Sequence, residues 1–100
     1  MDKWIIDRES AEEAKESIAS NTLALKRWNS FEEDVIDNPF YHPKSKRIKK
    51  LKTTSYPEGT YRYKKEPLRV VYYLNREKRT IYPLDAGTST NIAYKRRSHR

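Results

Sequence analysis

The chain has 100 residues and no cysteine, with 22 Lys and Arg against 14 Asp and Glu, which gives a net charge of +8. This length fits a single domain over residues 1–100, and the lack of cysteine excludes disulfides and thiolate metal sites within the chain. Its apolar runs are too short to span a membrane and its first residues lack the apolar region of a signal peptide, so we expect a cytoplasmic protein.

The start of the chain predicts a strand and a helix. The apolar run at 4–6 is typical of a short strand. Ser10 and Glu13 fit the capping box, in which each side chain accepts a hydrogen bond from the other's backbone N–H, so we expect a helix to begin at Ser10. The weakly apolar face of this helix consists of Ala11, Ala14 and Ile18.

A second amphipathic helix follows. Asn21 and Thr22 supply a break and a cap, and Pro39 stops the helix because proline lacks the backbone N–H and forces the preceding residue into an extended conformation. The two segments predict a helical hairpin, although a single bent helix also fits the pattern. The apolar positions that recur at helical spacing are Leu25, Trp28, Phe31 and Val35.

Residues 39–59 are predicted to be irregular, because prolines at positions 39, 43 and 57 interrupt them. Between these prolines lies the lysine-rich run 44–52, which suits phosphates or an acidic partner and equally suits a solvated loop. The candidates for RNA binding in this run are Lys46, Arg47, Lys49, Lys50 and Lys52.

The second half predicts three strands. In the first of them, tyrosines and cations alternate, so Arg62 and Lys64 share one face. Pro83 cannot donate to a backbone ladder, so we expect a bulge or an unpaired residue there. The expected fold class is α+β, with the order β-α-α-β-β-β and a small antiparallel sheet packed on the helical hairpin. The strands are predicted at 60–64, 68–74 and 79–84, a flexible stretch at 86–90, a last turn or strand at 92–94 and a basic tail at 95–100.

Charge and aromatic residues are distributed unevenly along the chain. Residues 1–40 hold 5 Lys and Arg against 10 Asp and Glu, whereas residues 41–100 hold 17 against 4, together with all 8 tyrosines. Cations that bind phosphates and rings that stack on bases suit a nucleic acid. RNA or another single-stranded nucleic acid is therefore the favoured partner class, and an acidic protein is the alternative.

Arg62, Lys64 and Arg69 are the strongest candidates for a site. Arg62 and Lys64 point the same way from one strand, and Arg69 lies on the next strand across a tight turn, so we expect one cationic face. Such a face would hold a phosphate and stabilise the extra charge on a phosphate that is being cut. The alternative is the solvated face of a sheet.

Tyr94 is the second candidate, because it lies beside Lys95 and Arg96, which are further candidates for RNA binding. A tyrosine on a cationic surface can stack on a base or move a proton; the alternative is an aromatic anchor for the C-terminus. His42 and His99 lack metal-ligand spacing, and two glycines cannot form a phosphate-binding loop, so no metal or cofactor is expected.

The second half resembles the RelE/ParE superfamily of type II toxin–antitoxin toxins. The resemblance rests on the Leu-Lys pair at 51–52, the basic strand at 59–64, the Arg-hydrophobic-hydrophobic-Tyr pattern at 69–72 and the late Tyr94. It implies a β-α-α-β-β-β fold and, in the RelE branch, ribosome-dependent cleavage of mRNA through the 2′-hydroxyl without a metal.

The resemblance also implies roles for the candidate residues. By position, Arg62, Lys64 and Arg69 match the cations that hold phosphate and stabilise charge. Tyr94 matches the late tyrosine that stacks on a base or activates the 2′-hydroxyl. The implied partners are a cognate antitoxin protein, the ribosome and mRNA, with no membrane and no small-molecule cofactor.

One position departs from the pattern of the family. A second arginine usually stands on or just after the last strand, and here Thr88 takes its place, which removes a candidate acid for the leaving group. Two rivals therefore stay open. One is a ParE-like inhibitor of DNA gyrase without nuclease activity, and the other is a catalytically inactive RNA- or protein-binding module of the same fold.

Overall fold

The computed structural model of the protein describes residues 3–52 and 55–88. These residues form two α-helices and five strands, with a short 3-10 turn at Glu16–Ile18 between the helices. The elements are β1 (Ile5–Ile6), α1 (Arg8–Lys15), α2 (Thr22–Asp37), β2 (Ile48–Lys50), β3 (Thr60–Lys65), β4 (Leu68–Asn75) and β5 (Thr80–Thr88). The predicted α+β class is confirmed.

The five strands form one mixed sheet in the order β1-β5-β4-β3-β2. β1 runs parallel to β5, whereas every other pair of neighbours is antiparallel. The prediction of an antiparallel sheet is therefore wrong at this edge. β1 and β5 are joined by most of the chain rather than by a tight turn, so no local signal fixes their relative direction.

Helix α1 begins earlier than predicted, because Asp7 rather than Ser10 is its N-cap. The Asp7 carboxylate accepts hydrogen bonds from the backbone N–H of Ser10 at 3.0 Å and from its hydroxyl at 2.7 Å. These bonds favour the charged carboxylate and lower the pKa of Asp7. A carboxylate at this position also complements the positive end of the helix dipole.

Helix α2 has the predicted limits. The side chain of Asn21 accepts a hydrogen bond from the backbone N–H of Ala24 at 2.9 Å, and the helix ends at Asp37, just before Asn38 and Pro39. Two separate helices are confirmed in place of a single bent helix, with the 3-10 turn and a short break between them.

The helices cover one face of the sheet: α1 contacts β5, and α2 contacts β3 and β4. Phe31 lies at the centre of this core, with its ring 5.2 Å from that of Tyr63 and 5.6 Å from that of Tyr72. The Tyr72 hydroxyl donates to the backbone oxygen of Pro39 at 2.6 Å. The predicted inward face of β4 is confirmed, since the four side chains at alternate positions are buried, namely Leu68, Val70, Tyr72 and Leu74.

Two segments predicted to lack regular structure contain strands. Ile48–Lys50 forms the edge strand β2, because Ile48 is buried in the core opposite Tyr63. β5 continues to Thr88, so residues 86–88 are not a flexible stretch. The expected bulge near Pro83 is confirmed, since consecutive residues of β4 pair with Asp85 and Pro83 and leave Leu84 between them. The predictions for 92–94 and 95–100 lie outside the described residues. Within residues 3–52 and 55–88, no helix is long and apolar enough to cross a membrane.

Candidate functional site

The face of the sheet opposite the helices carries a group of basic side chains. Arg62 and Lys64 alternate with the buried Tyr61 and Tyr63 along β3, so they point away from the core. The register places Lys49 of β2 directly opposite Arg62, and Arg69 of β4 directly opposite Lys64. We call these four side chains the cationic face: Lys49, Arg62, Lys64 and Arg69.

Burial on the other face fixes this arrangement. A slip of one residue between neighbouring strands would turn the cations of β3 into the core and expose Tyr63. Like charges directly opposite each other on neighbouring strands are destabilising, as with Lys64 and Arg69. A bound anion would relieve that repulsion, so the cationic face is suited to a phosphate.

The guanidinium of Arg69 carries a hydrogen-bond donor that lacks an acceptor among the described residues. Its Nε is buried, and no group in the described part of the chain accepts a hydrogen bond from it. A buried donor without an acceptor costs about 1–3 kcal/mol, which an incoming oxygen would recover. The position opposite Arg69 on β5 is Gly87, so no side chain from that strand stands beside the guanidinium. Gly87 is itself buried, so the approach to Arg69 is the groove that it lines together with Lys49 and Arg62.

Arg62 and Lys64 already have contacts within the protein. An Nη atom of Arg62 donates to the backbone oxygen of Lys46 at 3.3 Å, which holds the guanidinium over the β2 side of the sheet. Lys64 Nζ lies 3.4 Å from a carboxylate oxygen of Glu66, and both side chains are well exposed. Exposed ion pairs of this kind contribute about 0–1 kcal/mol, so a phosphate can compete with Glu66 for Lys64.

Two adjoining grooves border the cationic face. One has a volume of 610 Å³ and the other 500 Å³, and both are lined by Lys49 and Arg62. The larger groove extends past Lys64 to Tyr41, and the smaller extends to Arg69. The shared walls make one continuous basic depression along the β2 side of the sheet.

The structure places the predicted RNA-binding residues in different environments. Lys46, Lys49 and Lys52 are exposed and border the grooves. Lys50 is also exposed and borders the smaller groove, although it lies opposite the inward-facing Tyr61 at the edge of the sheet. The remaining predicted site residues, Tyr94, Lys95 and Arg96, lie outside the part of the chain that the structure describes.

Arg47 instead belongs to a cluster around Asp34, which no pattern in the sequence predicts. One carboxylate oxygen of Asp34 accepts a hydrogen bond from the Tyr63 hydroxyl at 2.7 Å and another from Arg47 at 3.1 Å. His42 Nε2 lies 3.7 Å from the same oxygen. Burial and the hydrogen bond to Asp34 raise the pKa of Tyr63, so the phenol stays neutral and keeps donating. The cluster fixes the segment that leads into β2.

A second contact that the sequence does not predict lies at the middle of the outward face, which is the face of the sheet opposite the helices. Tyr56, in the loop before β3, is buried and donates its hydroxyl to Asp85 of β5 at 2.8 Å. Asp85 pairs with Val71 of β4, which is buried although it belongs to the outward face. The alternation along β4 turns the apolar Val71 away from the helices. Another segment of the chain must therefore bury Val71, and this could have been inferred from the sequence.

Thr88, at the position where the family pattern has an arginine, pairs with Leu68 at the end of β5. Leu68 is buried under the helices, so the register assigns Thr88 to the helix side rather than to the cationic face. Among residues 3–52 and 55–88, no three histidine or acidic side chains are grouped closely enough to hold a metal ion.

Comparison of the chain with protein-family models, curated proteins and solved structures gives no match. What the site can do must therefore be argued from its own residues.

Proposed function

We propose that this protein is the toxin of a type II toxin–antitoxin system and that it cleaves mRNA on the ribosome by activating the 2′-hydroxyl, without a metal. The observation that carries the proposal is the cationic face, in which Lys49, Arg62, Lys64 and Arg69 lie together on three neighbouring strands. Four cations in one patch suit a chain of phosphates better than a small neutral ligand.

The chemistry assigned to the cationic face is charge stabilisation. The 2′-hydroxyl gives its proton to a base and its oxygen bonds to the neighbouring phosphorus, while the bond from phosphorus to the 5′-oxygen of the next nucleotide breaks. The products are a 2′,3′-cyclic phosphate and a 5′-hydroxyl, whose proton comes from water. The phosphate gains negative charge in the transition state, and fixed cations stabilise that charge more than they stabilise the bound substrate. Arg69 is one of these cations, and its buried Nε lacks an acceptor among the described residues. The resemblance to RelE toxins assigns activation of the 2′-hydroxyl to Tyr94.

A RelE-like fold is part of the proposal. Apart from the short edge strand β2, the elements follow the β-α-α-β-β-β order that the resemblance implies. A cognate antitoxin would silence the protein by covering the outward face of the sheet with an amphipathic segment, whose acidic side chains would pair with the cationic face.

A ParE-like inhibitor of DNA gyrase is the second candidate. It is favoured by Thr88, which supplies no acid for the leaving group and lies at the end of β5 opposite Leu68. An inhibitor needs a binding surface but no such acid, so the cationic face also serves this function. A binding module of the same fold without either activity is the third outcome.

The experiment is translation of a defined message in a cell extract, followed by primer extension on the message. We expect the protein to cause cuts at particular codons, and we expect the double variant Arg62→Ala/Arg69→Ala to cause none. Lys26→Ala/Lys78→Ala is the matched control, because these exposed lysines lie on α2 and in the β4–β5 turn, away from the cationic face, and their loss also removes two positive charges.

An intact message overturns the proposal. If DNA supercoiling by gyrase is inhibited at the same time, the ParE-like function replaces it. If neither activity is present, the protein is a binding module.

A further inference from the structure

Two tyrosines lie on the same side of the sheet as the cationic face. Tyr73 of β4 pairs with Tyr82 of β5, and their ring centroids are 6.4 Å apart with 37° between the ring planes. Both side chains are partly exposed. Positions 69, 71 and 73 alternate with the buried inward residues of β4, so Tyr73 and Arg69 project from the same face.

The hydroxyls of these two tyrosines have no hydrogen-bond partner within residues 3–52 and 55–88. By contrast, the buried Tyr56, Tyr63 and Tyr72 each donate to a group of the protein. A cross-strand aromatic pair contributes roughly 0.2–1 kcal/mol to a sheet, and phenylalanine would serve that purpose equally well. Tyrosine at an exposed surface adds a polar edge to a flat ring, which is the pattern of an aromatic platform for bases.

The spacing between the two groups fits a short single strand. Arg69 and Tyr73 are four residues apart on β4, which corresponds to about 14 Å along an antiparallel strand. That distance is covered by about four stacked nucleotides, or by fewer if the strand is extended. Between them on β4 lies the buried Val71, which has Arg62 of β3 on one side and Asp85 of β5 on the other. The carboxylate disfavours a phosphate on the β5 side at this level. A single strand fits this spacing and this charge distribution if its phosphates lie beside Arg69 and its bases lie on Tyr73 and Tyr82.

We propose that Tyr73 and Tyr82 form a stacking subsite for the bases of a single-stranded RNA whose phosphates lie on the cationic face. This inference rests on the proposed function, because it takes RNA as the ligand. It adds that the protein selects unpaired RNA, since bases within a duplex cannot present their faces to the two rings.

The test compares two short single-stranded RNAs of equal length, one intact and one with abasic riboses, by fluorescence anisotropy. The two carry the same phosphates, so only contacts to bases distinguish them. We expect the wild-type protein to bind the intact RNA about tenfold more tightly for each base that stacks. A duplex RNA with the same number of phosphates should bind more weakly than the intact single strand, because its bases are not available for stacking.

Two double variants complete the test. Tyr73→Leu/Tyr82→Leu removes both rings, so we expect it to bind the intact and abasic RNAs with equal affinity and with an unchanged dependence on salt. Tyr73→Phe/Tyr82→Phe keeps the rings and should bind as the wild type does. Discrimination that persists in the double leucine variant overturns the inference, since another aromatic residue such as Tyr94 then binds the bases. If the double variant does not fold, the single variants Tyr73→Leu and Tyr82→Leu take its place.

Equal affinity of the wild type for the intact and abasic RNAs overturns the inference and leaves the proposed function standing, provided that the message is still cut. If the wild type prefers the intact RNA but does not cut the message, the inference stands and the proposed nuclease activity is overturned. No binding of single-stranded RNA also overturns the inference, and cleavage of the message then decides the proposed function separately.

Discussion

Arg69 of β4 lies directly opposite Gly87 of β5 on one side and directly opposite Lys64 of β3 on the other. The guanidinium therefore has a like charge as one neighbour and a residue without a side chain as the other. The repulsion favours an anion beside Arg69, and no side chain of β5 competes for its guanidinium at this position. We expect Arg69 to contribute more to the binding of RNA phosphates than any other member of the cationic face.

Arg69→Ala should weaken RNA binding in a way that depends on salt. Loss of one phosphate contact to a single strand reduces the slope of log affinity against log salt concentration by about 0.7. The measurement is the affinity for a single-stranded RNA over a series of salt concentrations. Lys78→Ala removes the same charge at the β4–β5 turn and should leave the slope unchanged. Equal slopes for Arg69→Ala and the wild type would show that Arg69 does not contact phosphate.

Asp85→Asn should raise the affinity for RNA. Asp85 is a carboxylate on the outward face, and it accepts a hydrogen bond from Tyr56 at 2.8 Å, which asparagine can still accept through its amide oxygen. The substitution therefore removes a negative charge that repels phosphates and keeps the cover over Val71. Glu33→Gln on the exposed side of α2 is the control, and its RNA affinity should match that of the wild type. A lower affinity for Asp85→Asn would contradict this account.

Asp34→Ala should destabilise the fold. Its loss leaves the hydroxyl of Tyr63 and the guanidinium of Arg47 without their acceptor, which costs about 1–3 kcal/mol. Asp37→Ala is the matched control on the same helix, because Asp37 makes only an exposed ion pair with Lys3, worth about 0–1 kcal/mol. Urea denaturation followed by tryptophan fluorescence gives both free energies of unfolding. Equal losses for the two variants would remove the structural role assigned to the Asp34 cluster.

Stability should fall as the pH rises above 10. In the folded protein, burial raises the pKa of Tyr63 and of Tyr72 above the ordinary value of 10.0, and for Tyr63 the hydrogen bond to Asp34 adds to the effect. The unfolded chain releases these protons near pH 10 and the folded chain keeps them. The two tyrosines therefore make their full contribution to the free energy of unfolding below pH 10. Above that pH the contribution falls by about 1.4 kcal/mol per pH unit for each tyrosine.

The measurement is the free energy of unfolding at pH values on either side of 10, for the wild type and for Tyr63→Phe. Phenylalanine cannot ionise. Above pH 10 the free energy of unfolding of the variant should therefore fall less steeply than that of the wild type, and the difference in slope is the contribution of one tyrosine. Parallel curves would mean that Tyr63 ionises equally easily in both states.

Gly59→Ala should also destabilise the protein. Gly59 has a φ of +93°, which side-chain-bearing residues rarely adopt, and an added Cβ would lie 3.4 Å from the ring of Tyr73. Roughly 1 kcal/mol is the usual cost of alanine in such a conformation. Thermal unfolding measures the loss, and an unchanged midpoint would contradict the strained conformation at this turn.

Local sequence patterns predict a structural feature correctly where the residues that form it are close together in the chain. Asn21 capped α2 and Pro39 ended it, because both effects act within one turn of the backbone. The alternation along β3 and β4 identified the inward and outward residues for the same reason. The N-cap of α1 was missed because Ser10 and Asp7 are both good caps, and the earlier residue adds a charge that suits the helix dipole.

The sequence by itself determined the two helices, the inward faces of the main strands and the sign of the charge that the outward face carries, since these follow from hydrophobic period and composition. Tertiary structure alone decided the parallel pairing of β1 with β5, the edge strand β2, and the placement of Lys49 opposite Arg62 and of Gly87 opposite Arg69. It also decided the acceptors of Arg47 and Tyr56, which are Asp34 and Asp85. The physical reason is that these contacts join residues far apart in the chain, and their energy depends on how the whole core closes rather than on any local preference.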